Sequence, residues 1–166
     1  MNLDRISYVS NSSVNVLFGY IETRSLNTDE IADMRDPIEM AVWSYLASRH
    51  LQTARIEVFD METDITAIEW FDLTIERVSP YDPEKRPAAR FNQYREEVAT
   101  QLQALNSLPS SVNYRILLGI TSENDLGQES PSLGGWAKTT PRNPPESANE
   151  HDKHRQCDLT WLEHIQ

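Results

Sequence analysis

At 166 residues the chain has the length of one domain and can bury a core without disulfides or a structural metal, and its single cysteine excludes an internal disulfide framework. A formal net charge of −11 excludes phosphate-driven binding to nucleic acid, which needs a basic surface, and suits a basic partner instead. No apolar run approaches the ~20 residues that span a bilayer, and Asp4 and Arg5 stand where a signal peptide needs an apolar core, so the expected setting is soluble, cytoplasmic and away from membranes.

Val14 to Ile21 is a short apolar run with β-branched and aromatic residues, which predicts a strand. Asp36-Pro37-Ile38-Glu39 has the form of a helix start, with Asp36 as cap, Pro37 at the first helical position and Glu39 able to reach back. Ile38, Ala41, Val42, Tyr45 and Leu46 then share one helical face as far as about His50. A separate helical turn at Asp29 to Arg35 is expected ahead of Pro37, which lacks the N–H to continue it.

Arg55 to Met61 and Ile65 to Val78 read as two strands around a turn at Glu62 to Asp64. In the second, Ile65, Ala67, Phe71, Leu73 and Ile75 keep an even spacing while Ile68 and Trp70 fall out of phase, the mark of a bulge or of a strand covered on both faces. Pro83 and Pro87 lead into a helix carrying Phe91, Tyr94, Val98, Leu102 and Leu105, expected to end near Leu108 and Pro109. Val112 to Ile120 alternates Val112, Tyr114, Ile116, Leu118 and Ile120 against Leu117, so it predicts a well-buried strand.

The expected fold is therefore an α+β single domain, residues 1–120, in β-α-β-β-α-β order with two helices on one sheet. From Thr121 onward Pro131, Pro141, Pro144 and Pro145, with Gly127, Gly134 and Gly135, break any periodicity. Residues 121–166 are accordingly expected as an extended C-terminal tail, ending in a short helix over Cys157 to Ile165.

Three features could carry chemistry. His151, His154, Cys157 and His164 gather scarce zinc-ligand types in the spacing H-x2-H-x2-C-x6-H, which fits no standard zinc pattern but makes Zn the one cofactor to consider. Between Ile56 and Glu76 lie Glu57, Asp60, Glu62, Asp64, Glu69, Asp72 and Glu76 with no lysine or arginine among them. Such a hairpin offers an acidic edge to a basic protein, and Asp60, Glu62 and Asp64 could share Mg²⁺ or Ca²⁺ through oxygen. Trp136, within Gly134-Gly135-Trp136-Ala137, has too few apolar neighbours in sequence to build its own core, so it either packs on the domain or anchors a partner. There is no G-x-S-x-G, no phosphate-binding glycine loop and no dinucleotide fingerprint.

The helix around Phe91 to Leu105, the strand at Arg115 to Ile120, the turn at Thr121 to Leu126 and Gly135-Trp136-Ala137 follow one another in an order that resembles the upper subdomain of metzincin zinc proteases. In that family an apolar strand and a Gly-x-Ala edge strand stand above the active site. The resemblance covers residues 14–137 through short motifs, and the H-E-x-x-H-x-x-G-x-x-H helix is absent, so it implies a truncated or inactive relative and assigns no catalytic residue.

The leading expectation is a small acidic protein-interaction module, without catalysis, that uses Glu57, Asp60, Glu62, Asp64, Glu69, Asp72 and Trp136 against a basic partner surface. The alternative is a zinc-binding protein, or a degenerate metzincin-like domain, built on His151, His154, Cys157 and His164. A third reading, a nucleic-acid enzyme whose acids hold Mg²⁺, has Asp60→Asn as its test.

Overall fold

In the computed structural model, which describes residues 3–29, 31–62, 65–75, 96–121, 131 and 133–165, the N-terminal apolar run is helical. Helix α1 spans Leu3–Thr23, where a strand is expected at Val14 to Ile21. The reason lies in burial: Val14, Val16, Leu17, Phe18, Tyr20 and Ile21 are all buried, as are Ser12 and Ser13. A helix enclosed on nearly every side has no polar stripe to reveal its period, and a short apolar run then reads equally well as strand.

Helix α2 covers Ile31–Ala47 with Pro37 inside it, so the two helical pieces expected on either side of the proline are one. Pro37 is the seventh of its 17 residues, where it removes the donor that would meet the Asp33 carbonyl, yet the helix continues through it. The expected face of Ile38, Ala41, Val42, Tyr45 and Leu46 is buried throughout.

Both helices stop the same way. The Ser25 and Leu26 amides donate to the Glu22 and Ile21 carbonyls, and the Arg49 and His50 amides donate to those of Leu46 and Tyr45. These are Schellman closures, and each places a non-glycine residue in the left-handed region, Ser25 at φ 56° and Arg49 at φ 68°.

Five strands form one antiparallel sheet among the described residues: β1 Leu51–Asp60, β2 Ala67–Thr74, β3 Val112–Ile120, β4 Trp136–Thr139 and β5 Thr160–His164. Their spatial order is β2-β1-β3-β5-β4. Residues 96–103 form a third helix, α3, with Val98 and Leu102 buried; the expected Phe91 and Tyr94 lie outside the described residues. Helix α4, Glu150–Asp158, is capped by the Asn149 side chain, which accepts from the Asp152 amide.

The single α+β domain is as expected, but the β-α-β-β-α-β order is not: two helices come first, then β1 to β3. Nor do the described residues after Thr121 form a tail. From Trp136 onward they supply two strands, and the segment expected as a terminal helix is β5, whose Trp161 and Leu162 are both buried. Prolines and glycines obscured this, since β4 is only four residues long and β5 five.

One face of the sheet meets the helices. Ala54, Ile56 and Val58 of β1, Leu73 of β2, Ile116, Leu118 and Ile120 of β3 and Leu162 of β5 join α1 and α2 in one hydrophobic core. Of the two alternatives expected for the second strand, the bulge is present: the register shifts between Val58 and Phe59, which face Glu69 and Ala67 and leave Ile68 opposite no residue of β1. The opposite face is crossed by residues 140–159, which leave β4, pass over β1 and β2, and return through α4 to β5. We refer to this crossing as the strap.

Candidate partner-binding site

Under the strap, β1 presents the side chains that alternate with its core residues: Thr53, Arg55 and Glu57, all fully buried. A buried charge is tolerated only when it is paired and its hydrogen bonds are satisfied. Both conditions hold here.

Arg55 stands opposite Asp72 in the β1–β2 register and donates to it from Nε at 2.6 Å and from its terminal nitrogen at 2.9 Å. A third donation reaches Gln156 of α4 at 2.6 Å. The guanidinium also lies between two indole rings, 3.6 Å from the Trp70 centroid and 4.3 Å from that of Trp161, so flat π faces cover it above and below.

Glu57 stands opposite Arg115 in the β1–β3 register and accepts from its Nε at 2.8 Å. On its other side it accepts from the strap, taking the Arg142 guanidinium at 2.6 Å and the Arg142 backbone amide at 2.9 Å. Arg142 in turn sits 3.4 Å over the Phe59 ring. Arg115 extends the network across the sheet to Glu163 of β5 and Thr139 of β4, each at 3.0 Å, and to the Thr140 carbonyl at 2.8 Å.

Polar contacts therefore fasten the strap, since α4 buries none of its own residues. Arg155 adds one more, donating to Thr74 at 2.7 Å. Apolar contributions come from the buried Pro145 and from just beyond α4, where Leu159 and Trp161 press so closely on Gly119 that a Cβ there would lie 2.9 and 3.1 Å from them, and 2.8 Å from Thr53.

Near its start the strap touches the outer edge of the sheet. Asn143 accepts from the Ala67 amide at 2.9 Å and donates to the Ile65 carbonyl at 3.0 Å, forming a short parallel bridge beside β2. That contact lies at the tip of the β1–β2 hairpin.

The expected site residues are dispersed by this arrangement. Glu57, Asp72 and Glu69 turn inward. Glu69 points to the helical side, where the Tyr20 hydroxyl donates to it and Arg24 pairs with it at 2.7 Å. Burial first, and that hydrogen bond second, hold the Tyr20 hydroxyl far above the ordinary tyrosine value. Asp60 folds back on the turn, accepting from the Glu62 amide at 2.9 Å and from Ser111 at 3.4 Å. Glu62 is exposed, and Asp64 lies outside the described residues. Trp136 packs against the core and meets the His164 ring edge-on at 5.4 Å.

His151, His154 and Cys157 lie on α4, with His151 2.7 Å from the Arg155 guanidinium and the Cys157 thiol directed at the Lys153 carbonyl. His164 is on β5. Among the described residues no three His, Cys, Asp or Glu side chains come together as metal ligands would. No described helix is long and apolar enough to cross a membrane.

Sequence reasoning named the acids of this network and missed its arginines, Arg55, Arg115 and Arg142. A signal for Arg55 was present: Thr53, Arg55 and Glu57 alternate with Ala54, Ile56 and Val58 in a segment too apolar to be exposed. Arg142 carried none, since its partner is 85 positions away.

The sequence matches the family model described as Bacterial HORMA domain 2 over residues 2–153. No curated protein matches it. Among solved structures, a chain of the mitotic checkpoint complex is similar over 97% of this chain and 98% of its own, at 9% identity and a TM-score of 0.61. Two further similar structures are HTP-2 bound to HTP-3 motif-6, at 17% identity, and C. elegans HTP-2 bound to HTP-3 closure motif 1, at 16% identity. Each matches 69% of this chain with a TM-score of 0.39, and the chain spans 60% and 57% of their respective lengths.

The family match overturns the metzincin resemblance. The strand-turn-strand pieces that carried it are common to many α+β sheets, and among the described residues β4 pairs with β5 alone, at one end of the strand order. The chain belongs to the bacterial HORMA domain 2 family and is a protein-interaction module of that fold.

Proposed function

We propose that this module captures an extended segment of a partner protein by adding it as a strand to the sheet. The observation that carries the reading is the strap. It crosses β1 and β2 and is attached there largely through hydrogen bonds and ion pairs, and it leads into a strand joined to β3 over only four residue pairs, Leu117 to Ile120. Segments held in this way open at lower cost than segments locked into a hydrophobic core. Strand addition then takes its affinity from backbone hydrogen bonds and its selectivity from alternate side chains. The strap closing over a bound segment would bury those bonds away from water.

The test compares side-chain with backbone changes in a bound partner fragment, using hydrogen exchange to map the contact. Strand addition predicts slowed exchange along one strand edge and loss of binding when a central residue of the fragment becomes proline. Protection confined to the outer helical surface, with proline tolerated, would sink the reading.

A further inference from the structure

The outward stripe of α2 runs Asp33, Asp36, Met40, Trp43 and Ala47, all exposed. Steps of three and four residues are the spacing by which one helix packs along another, and the stripe keeps it for about 21 Å. Ile38, Ala41, Val42, Tyr45 and Leu46 already serve the core, so the stripe is a second seam on the same helix.

Helix α1 completes the surface. The two helices run antiparallel, with Ser10 donating to the Glu39 carbonyl at 3.3 Å and the Trp43 indole N–H donating to the Ser7 hydroxyl at 3.2 Å. The indole is thereby tied to α1 with its one polar atom satisfied, while 36% of the residue still faces solvent. One turn before Ser7 comes Leu3, 64% exposed, and one turn before Trp43 comes Met40, 66% exposed. A tryptophan anchored between two packed helices and flanked by apolar side chains is the kind of centre on which binding energy concentrates.

Charge selects the occupant. Asp33 lies in the first turn of α2 and suits the helix dipole as well, whereas Asp36 lies beyond that turn. Arg35, the only cation within α2, is turned to α1, where it donates to Asn15 and lies 5.2 Å over the Phe18 ring. The stripe is therefore apolar at one end and anionic at the other, on a chain of net charge −11. A second copy would bring the same charge to the contact. A strand would find no free backbone to join, because the amides and carbonyls of a helix bond within it.

We infer that the outer face of α2, with Leu3 of α1, docks an amphipathic helix of a partner protein whose apolar stripe is continued at one end by lysine or arginine. Apolar side chains of that helix pack around Trp43, Met40 and Leu3, and its cations meet Asp36 and Asp33. The surface belongs to the helical layer, on the side of the sheet away from the strap, so it is independent of strand capture and compatible with it.

The probe is a fluorescein-labelled, alanine-based helical peptide of about eighteen residues, with leucines three and four apart along one face and two lysines continuing that face. It is titrated by anisotropy against the full chain at low and physiological salt. One control replaces the lysines by glutamate, and another keeps the composition but scatters the leucines around the helix. The leucine–lysine peptide is expected to bind in preference to both, more weakly as salt rises. Met40→Ser combined with Asp36→Asn should weaken it about tenfold with the thermal midpoint unchanged, since both side chains are exposed. Ile65→Ser, at the exposed tip of the β1–β2 hairpin, should leave binding as it is.

No binding of the leucine–lysine peptide, or equal binding of the scattered-leucine control, would overturn helix docking. Equal binding of the glutamate peptide would overturn the basic class of partner. Weakening by Ile65→Ser and not by the Met40 and Asp36 changes would overturn the site. Sedimentation equilibrium of the chain alone tests the rival occupant: a dimer that Met40→Ser disperses would put a second copy on this face and overturn the partner helix.

Discussion

Along β1, Ala54, Ile56 and Val58 face the helices while Thr53, Arg55 and Glu57 face the strap, and all six are buried. One backbone thus serves two interfaces of different physics. On the helical side the cohesion is non-directional and scales with apolar area, at about 25 cal/mol per Å² removed from water. On the strap side it is directional: each guanidinium must meet its carboxylate, and each pair must recover the cost of leaving water. The first kind of interface tolerates no opening short of unfolding, because a separated apolar face has nothing to gain from partial contact with solvent. The second can open as a unit, since charges released from it are rehydrated.

The largest expected effect is on the apolar face. Ile56→Ala removes a fully buried side chain between β1 and the helices and should cost about 2–5 kcal/mol, read as a fall in the denaturant midpoint of the whole domain. If the loss were confined to local opening, the division between the two faces would not hold.

Glu57→Gln tests the charged face. It leaves Arg115 and Arg142 without their shared carboxylate and should cost about 3 kcal/mol, expressed first as faster hydrogen exchange and proteolysis in residues 140–164. Uniform destabilisation with no preferential release of the strap would argue that the strap is part of the main cooperative unit. Gly119→Ala presses instead on the apolar end of the strap. Its Cβ must displace Thr53, Leu159 or Trp161, at about 1–3 kcal/mol, and Trp161 fluorescence should report the shift.

Tyr20 distinguishes the two faces by pH. An unfolded chain releases the Tyr20 proton at the ordinary value of 10.0, while the folded chain holds it well above that, so stability is whole below pH 10 and declines as pH rises beyond it. Tyr20→Phe should flatten that part of the decline, measured as midpoint against pH. Tyr45, raised by burial alone, contributes in the same direction.

The smallest effect is a gain. Ser25 holds a positive φ at the end of α1, and Ser25→Gly should stabilise by about 0.5–1 kcal/mol, read as a higher thermal midpoint. No change in strap exchange should accompany it.

Elements whose partners lie close in sequence, or whose two faces differ in polarity, were legible. β3 was read to the residue, and the core face of α2 was read from its spacing. The β1–β2 hairpin emerged with its bulge because local alternation fails visibly there. α1 was misread since burial on all sides erased the polar face that marks a helix. β4 and β5 were misread because four and five residues among prolines and glycines carry too little periodicity to count.

The candidate site divides in the same way. Sequence alone determined that the chain is acidic and that two strands flank a turn at Glu62 to Asp64 in a stretch of seven acids without lysine or arginine. Only the tertiary structure decided which charges are paired inside the domain. The side chain of Glu57 meets Arg115 and Arg142 across 58 and 85 positions, and that of Arg55 reaches Gln156 across 101. Pairings over such separations depend on strand order and on the path of the strap, which no local pattern encodes.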